Sequence, residues 1–387
     1  MYVSQLDRPW IETPFLVHGF TIKNAKELNT LQSHCRYVYI DIKKGATRAP
    51  DSYRRKPSEL TEHNRTASFE DNLSDAIPIY SNAKDVVDNL YKSLRSGRMF
   101  AVEDIKDTVS DCVDNIISNP DSMLWLSMIK NKDEYTAEHS LNVALLSIAL
   151  GREEGLKRVA LQQLGICSML HDVGKIKIPD KILNKEGSLS APEFEVMKTH
   201  TVHGKKLLLN YHDLPSAAVD VALSHHERID GKGYPRGLQD DDIPYFVRIV
   251  CIADAYDAMT SGRVYSDAKP AAEALKILLA NKNTQFDTNL ATQFVNCIGV
   301  YPAGSIAELN SGAVGIVIPS NTGNKLQPRL LMIRDEEKTP CEPHAIELED
   351  KPKTDSGKPL FIRTLHPEGS FGVNIKDYQS IVLDKNY

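Results

Sequence analysis

Residues 168–175 of the chain read Ser-Met-Leu-His-Asp-Val-Gly-Lys, so that His171 is followed directly by Asp172. An imidazole binds one cation through a single nitrogen, whereas a carboxylate has two oxygens and can bridge two cations. Seven of the twelve histidines in the chain lie between His139 and His226. Imidazoles and carboxylates at this density predict a site for two adjacent metal ions, with Asp172 as the bridge.

Three further segments carry side chains of the same kind. His200 begins the sequence His-Thr-Val-His-Gly, and residues 225–235 read His-His-Glu-Arg-Ile-Asp-Gly-Lys-Gly-Tyr-Pro. Asp254 lies in an apolar segment that also contains Asp257. The residues alone predict the ligands His139, His171, Asp172, His200, His225, His226 and Asp254.

This ligand set leaves coordination positions free for water and substrate. Two six-coordinate ions offer about twelve positions, and seven residues with one bridging carboxylate fill about eight of them, which indicates an open catalytic site. Imidazole and carboxylate ligands without thiolate favour iron, with manganese as the alternative, and leave nickel and cobalt open. His203 is interpreted as lying outside the ligand set, and His212 as solvated. Asp257 is interpreted either as a residue that pairs with Arg248 and supports the ligands from outside, or as a solvated helix residue.

Apolar residues recur every three to four positions from about residue 84 to residue 300, which predicts an all-α domain. Before it, we predict strands at 15–22 and 37–42 around a helix at 25–31, then a polar linker at 43–80. After it, we predict strands at 313–318 and 329–333, a turn at 321–324, a charged loop at 335–358, and a strand or short helix at 372–383. The predicted domains are therefore 1–83 (a small N-terminal α+β unit with its linker), 84–300 (the helical domain, core 120–300) and 301–387 (a β-rich C-terminal segment).

Composition narrows the functional class. The chain is 41% hydrophobic and 25% charged, with a net charge of −6, which argues against binding to a nucleic-acid polymer. No apolar run approaches the roughly 20 residues that a bilayer-spanning helix needs, and no signal peptide is recognisable. Six well-separated cysteines without a Cys-x-x-Cys pair predict buried free thiols. We therefore expect a cytoplasmic protein without a membrane segment.

At these motifs the chain resembles the HD-GYP family of cyclic dinucleotide phosphodiesterases, a branch of the HD metal-dependent phosphohydrolases. The two signatures are His171-Asp172 and Gly233-Tyr234-Pro235, and the segments 135–140 and 243–254 also match the family. The resemblance covers about residues 120–300. Residues 1 to about 85 resemble the small domain that often precedes HD-GYP modules. The fold class is therefore multidomain, with an all-α HD-type helical catalytic domain flanked by a small N-terminal α+β domain and a β-rich C-terminal segment.

The resemblance implies hydrolysis of cyclic di-GMP to linear pGpG by metal-activated hydroxide, with further cleavage to GMP left open. It implies the seven ligands already named, catalytic roles for Asp172 and Lys175, and substrate contacts from Lys175, Tyr234 and Arg263. Members with a third ion usually carry a glutamate where this chain has Tyr135, so two ions are expected.

The segment after Arg263 lacks the proline and second basic residue common in the family, which leaves the substrate preference open. A phosphodiesterase that prefers 3′,3′-cyclic GMP-AMP and a non-catalytic cyclic dinucleotide receptor are the alternatives. A homodimer and a signalling protein partner also stay open, as does the role of the N-terminal domain.

Overall fold

The computed structural model of the chain describes residues 2–8, 13–15, 19–22, 25–35, 38–40, 56, 59–128, 135–261, 268–320, 324–354, 357–367 and 369–384. Over these residues, α-helices α1 to α14 cover Ala25–His34, Phe69–Arg95, Val102–Ser118, Pro120–Met128, Tyr135–Glu153, Arg158–Met169, Asp180–Leu183, Ala191–Lys198, His200–Leu208, Ser216–Ser224, Tyr245–Thr260, Ala271–Ala280, Thr288–Ile298 and Gln379–Asp384. Strands β1 to β8 cover Tyr2–Leu6, Phe20–Thr21, Val38–Ile40, Ile306–Leu309, Val314–Ile318, Arg329–Arg334, Pro340–Glu347 and Ile362–His366.

Helices α2 to α13 form the helical domain around one hydrophobic core, which confirms the predicted all-α architecture. Its centre is α5, where Leu141, Leu145 and Ile148 are fully buried. Helix α5 packs against α6 and α11. All three helices carry or lead directly into predicted ligand segments, so the core fixes the relative positions of those segments.

Helix α2 corrects the predicted linker. It begins at Phe69, where the Ser68 hydroxyl accepts a hydrogen bond from the Asp71 backbone N–H, and residues 69–80 are therefore helical. Phe69, Leu73 and Ala76 are buried at intervals of three and four residues. This spacing is the periodicity of an amphipathic helix. Composition does not reveal it, because many polar residues lie between the buried ones and because the helix also contains Pro78.

The C-terminal segment is an antiparallel sheet in the order β7-β6-β5-β4-β8. Val314, Ile316 and Ile318 of β5 belong to the core of the helical domain, whereas Val317 belongs to a separate cluster on the opposite face of the sheet. This alternation is the period of two that a strand imposes on its side chains. The β-rich character predicted for this segment is thus confirmed.

Strand β7 contradicts the loop predicted for 335–358. It pairs with β6 at the edge of the sheet, and its alternately exposed sequence contains two prolines and two glutamates. Edge strands tolerate proline and charge because one side of their backbone needs no partner strand. The same charges made the segment read as a loop. Strands β1, β4 and β8 were not predicted either.

The N-terminal region contains a three-stranded antiparallel sheet in the order β2-β1-β3 beside α1. Of the predicted strand at 15–22, only Phe20–Thr21 is a strand among the described residues, and the predicted strand at 37–42 is observed as Val38–Ile40. The final segment forms the short helix α14 instead of a strand. The predicted turn at 321–324 lies outside the described residues except for Asn324.

None of the helices among the described residues is long and apolar enough to cross a membrane.

Candidate metal centre

The seven predicted ligand residues come from five different segments. His139 lies on α5, His200 begins α9, and Asp254 lies on α11. His225 is the C-cap of α10, and His226 follows it. His171 and Asp172 occupy the turn between the end of α6 and a 3₁₀ helix at Val173–Lys177. The structure brings all seven side chains together in the interior of the helical domain.

The turn that carries His171 and Asp172 is packed directly onto α9. A Cβ atom at Gly174 would lie 1.9 Å from the His200 carbonyl oxygen and 2.4 Å from the Gly204 nitrogen. No side chain fits at such distances, since both neighbours are backbone atoms. The glycine of the His-Asp-Val-Gly motif therefore sets how closely two ligand segments approach each other.

We expect Gly174→Ala to lower the free energy of unfolding by about 3 kcal/mol, because the added methyl group must displace the backbone of α9. The shift also moves His200, so the metal content of the purified protein should fall. Urea unfolding and elemental analysis measure the two effects.

Gly204→Ala is the matched control. Its Cβ atom would approach the Ala222 Cβ to 3.4 Å, an ordinary contact, and Gly204 is helical. We expect a change in stability within about 1 kcal/mol. Equal stability of the two variants would show that the close approach at Gly174 is unimportant.

The two carboxylate oxygens of Asp172 face different histidines. Oδ2 lies 3.5 Å from His139 Nε2 and 3.3 Å from His171 Nε2. Oδ1 lies 3.4 Å from His200 Nε2 and 3.6 Å from His225 Nε2. Asp172 thus stands between two pairs of imidazoles and presents one oxygen to each pair.

Asp254 extends both sides of the cluster. Its Oδ1 lies 3.2 Å from His139 Nε2, and its Oδ2 lies 3.8 Å from His226 Nδ1. Three groups of three possible donors, in which the ligand atoms lie within 4.8 Å of one another, occur among the described residues. Two of them share no member: His139, His171 and Asp254 form one, and His200, His225 and His226 form the other. The third group, His171, Asp172 and His225, connects these two through Asp172.

The tautomers of four histidines follow from their outer contacts. His171 Nδ1 donates to the Ser168 carbonyl at 2.6 Å, His200 Nδ1 to the Met197 carbonyl at 2.7 Å, and His225 Nδ1 to the Val221 carbonyl at 3.0 Å. His139 Nδ1 donates to a carboxylate in the same way. Carbonyl and carboxylate oxygens only accept, so in a neutral ring the proton is on Nδ1 and the lone pair is on Nε2. All four lone pairs point into the cluster.

These lone pairs fit a metal centre. His171 Nε2 and Asp172 Oδ1 are buried without a hydrogen-bond partner among the described residues. His200 Nε2 and His225 Nε2 lie 3.2 Å apart, which sets two acceptors against each other unless a cation or a proton lies between them. Two neighbouring ligands of one ion at about 2.1 Å have a similar separation. The residues present therefore suit divalent cations.

The protonation states of the histidines and of Asp172 also favour metal binding. Burial lowers the pKa of His200 to about 3 and also lowers the pKa values of His171 and His226, so these rings are neutral near pH 7. Burial alone raises the pKa of Asp172, but the Lys175 ammonium and the neighbouring histidines outweigh it and hold the pKa well below its ordinary value. Neutral imidazoles beside an ionised carboxylate are the protonation states that metal ligands require.

Asp257 holds His139 in place. Its Oδ2 accepts the hydrogen bond from His139 Nδ1 at 2.7 Å, and it also accepts hydrogen bonds from Asn142 and Ser261. The predicted role of Asp257 as a support for the ligands fits this geometry, but its predicted partner Arg248 instead binds Asp287 at 2.8 Å. The alternative of a solvated residue is wrong, because Asp257 is buried. Its position three residues after Asp254, on the same side of α11, was the sequence signal for this role.

Lys175 Nζ lies 2.5 Å from Asp172 Oδ2, and its side chain is about one-fifth exposed, at 18%. The ammonium thus contacts the Asp172 carboxylate directly. The sequence predicts a contact between Lys175 and a substrate phosphate, but not this ion pair. Arg263 lies outside the described residues.

A cavity of about 270 Å³ opens beside the cluster. Tyr234 lines it with its ring centroid 4.8 Å from that of His226. The loop behind Tyr234 is held by the buried Glu227, whose carboxylate accepts the backbone N–H groups of Arg236 at 2.7 Å and Leu238 at 2.9 Å. Sequence reasoning missed Glu227, although it directly follows the two histidines. The Gly-Tyr-Pro loop is therefore a fixed wall next to the predicted ligands.

The remaining predictions concern residues away from the cluster. His203 is partly buried and belongs to none of the donor groups found in the described residues. His212 is exposed, as predicted. All six cysteines are free, five of them buried and Cys341 partly buried, which confirms the predicted thiols.

Comparison with known proteins agrees with this architecture. Residues 124–290 match the HD domain family, and residues 1–105 match a domain of unknown function, DUF3391. Cyclic di-GMP phosphodiesterase PA4108 of Pseudomonas aeruginosa is 34% identical over 85% of this chain and 81% of its own length. A cyclic di-GMP phosphodiesterase of Thermotoga maritima is 42% identical over 38% of this chain and 40% of its own length. The 3′3′-cGAMP-specific phosphodiesterase 2 of Vibrio cholerae is 35% identical over 48% of this chain and 34% of its own length.

The fold and the site define an HD-domain phosphohydrolase, an enzyme class that is metal-dependent. Within that class, the chain belongs to the HD-GYP family of cyclic dinucleotide phosphodiesterases.

Proposed function

We propose that this protein hydrolyses cyclic di-GMP to linear pGpG at the metal centre. The observation that carries the proposal is the position of Asp172, whose two oxygens each face a different pair of histidines. Open coordination positions beside such a centre suit a phosphodiester, and the cavity next to His226 gives a nucleotide access to them. The names of the Pseudomonas and Thermotoga relatives support the same substrate.

The centre is proposed to hold two ions, iron by preference and manganese as the alternative. One group of ligands is His139, His171 and Asp254, the other is His200, His225 and His226, and Asp172 is shared. When bound, such ions supply Lewis acidity, which activates water and neutralises charge on phosphoryl oxygens.

Side chains beside the ligands are proposed to set the charge of this centre and to contact the substrate. Lys175 keeps Asp172 ionised and stays close enough to the surface to contact a phosphate, which fits its predicted catalytic and substrate-binding roles. Tyr234 forms part of the cavity wall, where its ring can contact a base. Arg263 remains a predicted phosphate contact from the sequence.

A preference for 3′,3′-cyclic GMP-AMP is the second candidate. It is favoured by the relative in Vibrio cholerae, whose name specifies that substrate. Hydrolysis and metal binding by the same residues are expected in either case, so the two candidates differ only in base recognition.

The test incubates the purified, reduced protein with cyclic di-GMP, 3′,3′-cyclic GMP-AMP and cyclic di-AMP separately. Each reaction is run with iron, with manganese and with a chelator, and the products are separated by chromatography. We expect linear pGpG from cyclic di-GMP as the fastest reaction and complete loss of turnover with the chelator. Tight binding of cyclic di-GMP to the metal-loaded protein without any linear product would instead indicate a receptor.

A further inference from the structure

One wall of the cavity carries an amide whose orientation is fixed by its neighbour. Gln285 Oε1 accepts a hydrogen bond from Arg228 Nη1 at 3.0 Å, and both residues line the cavity. Because a guanidinium only donates, the amide oxygen must face Arg228 and the Nε2 group must take the other side. Within the part of the chain that the structure describes, no group accepts a hydrogen bond from Gln285 Nε2. The amide therefore has N–H donors to offer a ligand.

The Arg228 guanidinium is also fixed by hydrogen bonds and also has donors to offer the cavity. Its Nε and Nη2 atoms donate to the two oxygens of Asp230 at 3.0 and 2.8 Å, and its Nη1 donates to Gln285. These contacts use three of the five N–H bonds of a guanidinium, so two donors remain. The Asp230 carboxylate fixes the plane of the guanidinium in a bidentate contact. Together, Gln285 and Arg228 form a polar edge that consists of donors.

An aromatic surface lies on the same cavity. Phe194 is 46% exposed, on a helix, α8, none of whose residues is buried. Its ring centroid lies 6.1 Å from that of Tyr234, and Lys198 Nζ lies 5.4 and 5.7 Å from the two centroids. Exposed aromatic rings beside a cation suit a planar base attached to a phosphate.

We infer that this cavity is a guanine subsite, in which Gln285 and Arg228 donate to the base. The rings of Phe194 and Tyr234 are nearly perpendicular, at 83°, so one ring contacts a face of the base and the other contacts its edge. Guanine presents two acceptors, O6 and N7, on one edge, whereas adenine presents an acceptor and an amino donor there. An adenine amino group would meet the donors of Gln285 and Arg228 instead of an acceptor, which is unfavourable. A volume of about 270 Å³ lies near the lower end of small-molecule pockets. The inference rests on the proposed function in one respect, since it takes the attached phosphate to lie at the metal centre.

The test uses a substrate without a base, bis(p-nitrophenyl) phosphate, and the manganese-loaded full chain. Inhibition constants of GMP and AMP against its hydrolysis measure base recognition independently of cyclic dinucleotide cleavage. We expect GMP to bind at least about tenfold more tightly than AMP. Gln285→Glu retains an oxygen for Arg228 but replaces the Nε2 donor with an acceptor, so the ratio of the AMP to the GMP inhibition constant should fall about tenfold.

Gln293→Glu, on α13 outside the cavity lining, introduces the same charge and should leave the ratio unchanged. Gln285→Met removes the donor without adding charge and should also reduce the ratio, which guards against a folding defect in the glutamate variant. Equal inhibition by GMP and AMP in the parent protein, or an unchanged ratio in both Gln285 variants, would overturn the guanine subsite. A parent protein that discriminates GMP through Gln285 but cleaves no cyclic di-GMP would retain the subsite and refute the proposed function.

Discussion

Replacing Asp172 by asparagine is expected to remove metal and turnover together. The amide group retains the shape of the carboxylate, but it loses the charge and presents N–H donors to one of the two histidine pairs that Asp172 faces. Loss of an outer partner of a metal ligand costs about 10- to 100-fold in affinity or activity, so loss of a shared ligand should exceed about 100-fold in turnover. Elemental analysis and cyclic di-GMP hydrolysis measure the two effects on the same sample.

Asp114→Asn is the matched control, because it makes the same chemical change at an exposed position on α3, where Asp114 pairs with Arg158. We expect its metal content and turnover to equal those of the parent protein. Circular dichroism of both variants checks that the helical content is retained. Full metal loading with retained turnover in Asp172→Asn would refute the bridging assignment.

Replacing Asp257 by asparagine should weaken metal binding without destroying the centre. The carboxylate accepts the Nδ1 proton of His139 at 2.7 Å and thereby keeps the Nε2 lone pair aimed at Asp254 and Asp172. An amide oxygen can still accept that proton, but it holds the ring less strongly because the charge is lost. We expect about a 10- to 100-fold loss of metal affinity, measured by competition with a chelator of known affinity.

The two aspartate variants should differ in their response to added metal. Saturating manganese should restore most of the turnover of Asp257→Asn, because its ligands are all present, but not that of Asp172→Asn. Asp111→Asn, at an exposed position on α3, is the control for the loss of one negative charge. If Asp257→Asn binds metal as tightly as the parent protein, the hydrogen bond to His139 serves only to stabilise the fold.

Much of the helical domain could be predicted from the sequence because its signals are local. The helix that carries His139 and the one that begins after Ser190 follow from apolar periodicity and from capping residues. Residues 69–80 and strand β7 could not be predicted in this way. In residues 69–80 the few buried apolar residues are separated by many polar ones, which hides the helical periodicity. In β7 the charges and prolines are compatible with a strand only because it lies at the edge of the sheet, and the sequence does not show that position.

The sequence by itself determined the chemical identity of the candidate centre. Histidines and aspartates that occur together in this order predict a metal site, so the candidate ligands could be proposed and the family recognised without coordinates. Only the tertiary structure decided the direction of each contact. Which oxygen of Asp172 faces which histidines, the bond from His139 to Asp257, and the orientation of the Gln285 amide all join residues far apart in the chain. Such contacts depend on how the helices pack, and local sequence patterns carry no information about packing at that distance.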